Sequence, residues 1–115
     1  MNTGHCFTTP DGLKIRMDGH GYMLDPADWN PEIANALARS DGFELSAEHW
    51  EILQVLRNYY AEYELEPPIR ALTRLLAAEH GKQKANSRHL YRLFPDGPVK
   101  QGCRYAGLPL PLSCI

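Results

Sequence analysis

Residues 47–64, AEHWEILQVLRNYYAEYE, place Trp50, Leu53, Leu56, Tyr60 and Tyr63 at steps of three and four, and Ile52, Val55 and Tyr59 widen that stripe. A surface helix needs one narrow apolar face, whereas a face this broad must be covered from more than one direction. The chain therefore has to wrap other elements around a central helix. Ser46 can cap its first turn, and Pro67 and Pro68 end it and open the next helix.

The flanking segments supply the wrapping. Asn30, Pro31 and Glu32 read as N-cap, N1 and N2 of a helix over 30–40 whose apolar stripe is Ile33, Ala34 and Leu37, stopping near Gly42. IRALTRLLAAEH continues from the proline pair as a helix over 68–80, with Ile69, Leu72, Leu75 and Leu76 facing inward and Gly81 as its stop. The polar stretch KQKANS leads to Asn86 or Ser87, either of which can cap a short helix over 87–94 carrying Leu90, Leu93 and Phe94. Pro95-Asp96-Gly97 breaks the chain, and Pro98 starts a last helix over 98–106 that ends at Gly107.

Near the start, residues 7–24 hold the turn signals Pro10-Asp11-Gly12 and Asp18-Gly19 around the alternating LKIRM, which predicts a hairpin or short meander. A two-stranded ribbon is marginal alone, so it should rest on the helices. The expected fold is α+β and mainly helical: about five short helices in an orthogonal array, a small N-terminal β-hairpin or meander, and an extended, mobile C-terminal arm. Residues 1–107 form one globular domain in this reading, and 108–115 the arm.

A length of 115 residues suits a single domain. No apolar run approaches a membrane span and the polar start MNTGHCFTTPDG lacks a signal-peptide core, so the expectation is a cytoplasmic monomer with no direct membrane insertion. The net charge of −2 conceals an asymmetry: residues 1–66 hold 4 Lys/Arg against 12 Asp/Glu, and residues 67–115 hold 8 against 2. Such a gradient can steer an anionic substrate, a nucleic acid or an acidic partner toward the second half, or it can be no more than a solvated surface.

The chain closes with CRYAGLPLPLSCI, which sets Cys103 on the last helix and Cys114 beyond two prolines. Pro109 and Pro111 favour polyproline-like backbone, so the final eight residues span roughly 25 Å. Such a tail is either frayed chain with an accidental cysteine or an arm with a reactive tip. Lys100 lies one helical turn before Cys103 and Arg104 is adjacent, a setting that favours thiolate. Cys114 has only the terminal carboxylate beside it, which disfavours a second negative charge, so its activation has to come from a partner's pocket. A Cys103–Cys114 bridge closes a loop of 12 residues and restrains the chain by roughly 3 kcal/mol. Gly102 can loosen the helix for that approach. If the tail is such an arm, one mobile and one anchored thiol make a carrier: Cys114 is expected to accept sulfur as a persulfide, or to form a mixed species with a substrate, and Cys103 to resolve it.

HWEILQVLRNYYAEY, PPIRALTRLL, KANSRHLYRLFPDGPVKQGC and AGLPLPLSCI together resemble the DsrC/TusE proteins, small sulfur carriers, over roughly residues 20–115. The resemblance implies a helical array with a small β-meander and a mobile arm. It also implies that Cys114 is the sulfur-accepting cysteine and Cys103 the second thiol. Having both thiols resembles the branch that serves as the gamma subunit of dissimilatory sulfite reductase, in which sulfur from sulfite is presented as a trisulfide. The partners implied are that reductase, a relay complex of the DsrEFH or TusBCD kind, and a membrane-bound heterodisulfide-reductase-type complex. The alternative is a TusE-like persulfide relay in tRNA 2-thiolation, a branch that typically keeps only the penultimate thiol. In either role the protein is a sulfurtransferase-type co-substrate more than a stand-alone catalyst. Leu110 and Gly102 depart from the family pattern, which usually has a basic residue and an alanine there. Cys6 has no role in this reading.

A different class remains on the residues alone. Helices 68–80 and 87–94, with Arg88 and Arg92 on the second, can be read as a helix-turn-helix, although GKQKAN is long for the turn and the 12 acidic residues of the first half oppose DNA. Nucleic acid is thus the disfavoured partner. His5, His20, His49, His80 and His89 show no ligand spacing with one another or with the cysteines, so no metal is implied, and no cofactor is either. Tyr59, Tyr60 and Tyr63 read as core at helical spacing.

Overall fold

The computed structural model describes residues 5–112. In chain order these form strands β1 (His5–Thr8) and β2 (Lys14–Met17) and helices α1 (Pro31–Ser40), α2 (Ala47–Tyr63), α3 (Ile69–His80), α4 (Ser87–Leu93) and α5 (Pro98–Tyr105). The mainly helical α+β fold with five helices and an N-terminal β-element is thus the one expected. The strands pair antiparallel with Cys6 opposite Arg16 and Phe7 opposite Ile15, and a further bridge joins Met17 to Met23. Asp18 makes that second reversal by accepting from the amides of His20 at 2.8 Å and Tyr22 at 3.0 Å. Ile15 and Met17 point into the core while Lys14 and Arg16 face out, as alternation requires.

The helix starts follow their caps. Asn30 accepts from the Ile33 amide at 3.0 Å with Pro31 at N1, and Asn86 accepts from the His89 amide at 2.9 Å. At α2 the reciprocal partner of Ser46 is a histidine: the Ser46 amide donates to His49 Nδ1 at 2.9 Å while His49 Nε2 donates to the Leu93 carbonyl at 2.9 Å. One ring thus ties the start of α2 to the end of α4, and burial holds its pKa below the usual histidine value. Short 3-10 turns at Pro26–Asp28 and Lys82–Lys84 lead into α1 and α4.

α2 is covered by α3 and α5, as its broad face demands, but the short helix α5 is the true hub, because it touches α1, α2, α3 and α4. Close approach at Gly102 makes this possible: a Cβ there would lie 2.7 Å from Leu56 Cδ1. The helix runs unbroken from Pro98 to Tyr105, so Gly102 serves the α2–α5 crossing, which corrects the reading of it as a loosening point. Ile52, Leu53, Val55, Leu56, Leu72 and Leu90 fill the space around that crossing.

Two inward readings fail at the edge of the bundle. Ile69 is 42% exposed and Tyr63 53%, and the Tyr59 and Tyr63 rings pack on each other with centroids 4.5 Å apart at the α2–α3 margin. Helical spacing continues to the end of a helix even where the neighbour that would cover it has already turned away. The start of the arm departs in the opposite sense: Leu108 is 2% exposed, Leu110 packs on the core, Pro111 is buried, and exposure resumes at Leu112, at 64%. The globule therefore extends past residue 107.

Candidate functional site

The last turn of α5 decides where the arm goes. Four carbonyls at a helix end lack intrahelical partners. Here the Leu108 amide donates to the Cys103 carbonyl at 3.0 Å and the Gly107 amide to the Arg104 carbonyl at 3.4 Å, with Gly107 at φ +72°, which is a Schellman turn. The two carbonyls left over, those of Tyr105 and Ala106, accept from side chains of distant segments: Trp29 Nε1 at 2.7 Å and Arg57 Nη1 at 2.6 Å.

Cys103 sits on the inner side of this helix, 0% exposed and part of the main core cluster. Its backbone carbonyl is the acceptor that folds the arm back, so the second thiol and the arm's root share one residue. Cys114 lies outside the described residues. Cys6 is exposed on β1, opposite Arg16.

The two cations beside Cys103 in sequence face other groups. Arg104 donates from Nε to Asp41 Oδ2 at 2.9 Å and from Nη2 to Oδ1 at 3.2 Å, and also bonds the Gly21 carbonyl. The Lys100 side chain is exposed, and its carbonyl accepts from the Tyr22 hydroxyl at 2.8 Å. The Tyr105 hydroxyl also donates to Asp41. α5 is thereby tied to the C-cap of α1 and to the β-meander by one polar network. Burial pushes Asp41 up, but the Arg104 and Tyr105 hydrogen bonds outweigh it and hold the carboxyl below its usual range.

Tyr105 responds the other way. Burial, then the hydrogen bond to Asp41 and its negative charge, push the phenol from 10.0 to about 12. The folded state thus favours the neutral phenol, and this contribution to stability is complete below pH 10.0 and lost as pH rises through about 12. Alkaline titration of tyrosinate absorbance is expected to show a late ionisation at about 12 that Tyr105→Phe removes. Persistence of that late component in Tyr105→Phe would assign it elsewhere.

Trp29, Arg57, Asp41 and Tyr105 were not singled out by the sequence reading. Arg57 did carry a signal: it falls four residues after Leu53 and three before Tyr60, a cation on the flank of an apolar stripe. Of the helix pair considered for DNA, α3 and α4 are joined through the Lys82–Lys84 turn, Arg88 and Arg92 are exposed, and Arg92 Nη2 lies 3.0 Å from His89 Nδ1.

Comparison with known proteins bears on the same segment. The family described as DsrC-like protein matches residues 9–115. A sulfurtransferase TusE of Salmonella paratyphi A is 46% identical over 105 residues, covering 91% of this chain and 96% of its own. The chain belongs to the DsrC/TusE family. Among solved DsrC/TusE structures, the DsrC of Allochromatium vinosum determined by NMR is 45% identical with a TM-score of 0.83, covering 96% of this chain and 100% of that one. The oxidized gamma-subunit of the dissimilatory sulfite reductase (DsrC) from Archaeoglobus fulgidus, a crystal structure, is 37% identical with a TM-score of 0.84 and the same coverage. The DsrC/TusE fold implied by the resemblance is the fold observed. Among the described residues no helix is long and apolar enough to cross a membrane.

Proposed function

We propose that the chain is a cytoplasmic sulfur carrier that accepts a sulfur atom on Cys114 as a persulfide and hands it to the next protein of a relay. The observation that carries this reading is the exit of the arm: the chain leaves α5 through a Schellman turn whose acceptor is the Cys103 carbonyl, and Trp29 and Arg57 hold the same turn. A carrier needs a reactive tip on a chain that starts from a fixed point, and this arrangement supplies the fixed point.

In loading, the Cys114 thiolate attacks the outer sulfur of a donor persulfide. The donor S–S bond breaks, the donor leaves as thiolate, and Cys114 keeps the added sulfur with its proton. In discharge, an acceptor thiolate attacks the outer sulfur of the Cys114 persulfide, and Cys114 leaves as thiolate. The relatives named sulfurtransferase TusE favour this one-thiol relay, directed to tRNA thiolation through a TusBCD-like complex. Their identity favours the branch that the resemblance had placed second.

Cys103 favours a second reading, in which its thiolate attacks the inner sulfur of the Cys114 persulfide. That forms a Cys103–Cys114 disulfide and expels hydrosulfide, as suits a partner of dissimilatory sulfite reductase and of a heterodisulfide-reductase-type complex. The structures of DsrC from Allochromatium vinosum and Archaeoglobus fulgidus support keeping it in view.

Intact-mass spectrometry after incubation with a small persulfide donor tests the proposal. The unmutated chain is expected to gain sulfur and Cys114→Ala none; a gain that survives in Cys114→Ala overturns the acceptor. Cys103→Ala separates the branches: under the relay it loads and discharges like the unmutated chain, and under the second reading it stays loaded while the unmutated chain releases hydrosulfide.

A further inference from the structure

We infer that Arg57 and Trp29 are positioning residues that lock the root of the arm and so set the direction in which Cys114 is presented; the inference rests on the carrier reading above. The Schellman turn satisfies the carbonyls of Cys103 and Arg104 from within the chain, so the local sequence is sufficient to reverse the backbone. Leu108, Leu110 and Pro111 then lie on the core, and the torsions at residues 106 and 107 set how that docked stretch is delivered to it. Trp29 and Arg57 bond the carbonyls at this joint, those of Tyr105 and Ala106.

The two side chains are themselves held. The guanidinium of Arg57 lies 4.0 Å over the Trp29 ring, and Trp29 meets Trp50 edge-on with centroids 6.4 Å apart. Trp29 lies so close against Gly107 that a Cβ there would come within 2.2 Å of it. Arg57 comes from the central helix α2, and Trp29 from the segment that leads into α1. The joint is thus clamped to two elements that do not include the arm.

A cap alone does not call for this arrangement. Burial presses on the Arg57 cation, and among the described residues it has no carboxylate partner. Desolvating a cation is costly unless its charge or the planar geometry of its donors is used. Aimed at one carbonyl and set over one ring, Arg57 fixes the joint from two sides. A tip on a directed arm meets its target at a higher effective concentration than one on a freely rotating arm.

Amide exchange and sulfur discharge, measured on the full chain, test this together. In Arg57→Met, which keeps an unbranched apolar stem and removes donors and charge, the Gly107 and Leu108 amides are expected to exchange about tenfold faster, as for loss of one charge-assisted hydrogen bond. The Leu72 and Leu76 amides of α3 stay unchanged. Trp29→Phe, which keeps a ring and removes the donor, moves the same two amides in the same direction, and Arg57→Lys restores part of the protection. Discharge of the persulfide to a thiol acceptor protein slows in Arg57→Met while the extent of loading does not change. Unaltered exchange at Gly107 and Leu108, or an equal rise across α3, overturns the inference by reducing the pair to general packing. If the unmutated chain takes up no sulfur, the carrier reading fails, and the exchange result still decides whether the joint is clamped.

Discussion

Gly107→Ala is expected to lower the stability of the domain by about 3 kcal/mol and its melting temperature by roughly 10 °C. Two costs combine. The position sits at φ +72°, where an L-residue with a side chain is strained by about 1–2 kcal/mol. The added methyl also falls 2.2 Å from Trp29 Cδ1 and 2.6 Å from its Cβ, so the indole has to shift. A shifted indole loses its bond to the Tyr105 carbonyl and its stacking under Arg57. Gly12→Ala is the internal control: its φ of +92° is similarly unfavourable, but a Cβ there meets nothing within 4 Å. Thermal melts of the two variants should differ by the packing cost alone, and a Gly107→Ala no less stable than Gly12→Ala would remove Trp29 from the account.

The second large effect is expected from Phe94→Ala, at about 3–5 kcal/mol, a sizeable share of the total stability of a domain this small. Phe94 is fully buried where α4 ends, with its ring edge-on to His49 at 5.0 Å and stacked on Tyr105 at 6.1 Å between centroids. A Cβ added at Gly102 would lie 3.9 Å from the same ring, so α5 passes directly over it. Truncation therefore opens a cavity beneath α5 and loosens the helix that carries Cys103 and the arm. Urea denaturation should show the midpoint falling sharply for Phe94→Ala and only slightly for Phe94→Leu, which refills most of the volume. Equal midpoints for the alanine variant and the parent would show that this contact does not anchor α5.

The helices were legible because each announces itself locally. Asn30, Ser46 and Asn86 cap, Pro31 and Pro98 open, Gly81 and Gly107 stop, and none of these devices needs knowledge of a distant segment. Burial was legible only where periodicity and coverage coincide. Leu53, Leu56, Leu72 and Leu76 lie under neighbours, whereas Ile69 and Tyr63 continue the same spacing past the edge of those neighbours. Early docking of the arm escaped because prolines report an extended backbone and say nothing about what the backbone lies on. Leu108 shows the gap: it follows the helix stop and is nonetheless core.

The supports of the arm's root were not legible in the sequence. Cys103 and Cys114 stand out by spacing and neighbours, but the bonds from Trp29 and Arg57 to the end of α5 span 76 and 49 residues of chain. No local pattern encodes a pairing of that range. The same holds for Arg104: sequence places it beside Cys103, and its charge meets Asp41, 63 residues away. Adjacent residues on a helix point in different directions, so neighbours in sequence are poor guides to the electrostatics of a thiol.

The central claim is tested most directly by locating the sulfur. After incubation with a persulfide donor and alkylation, peptide mass spectrometry is predicted to find one added sulfur on Cys114 and none on Cys6 or Cys103. An added sulfur on Cys103 or Cys6, with Cys114 alkylated as a plain thiol, would contradict it.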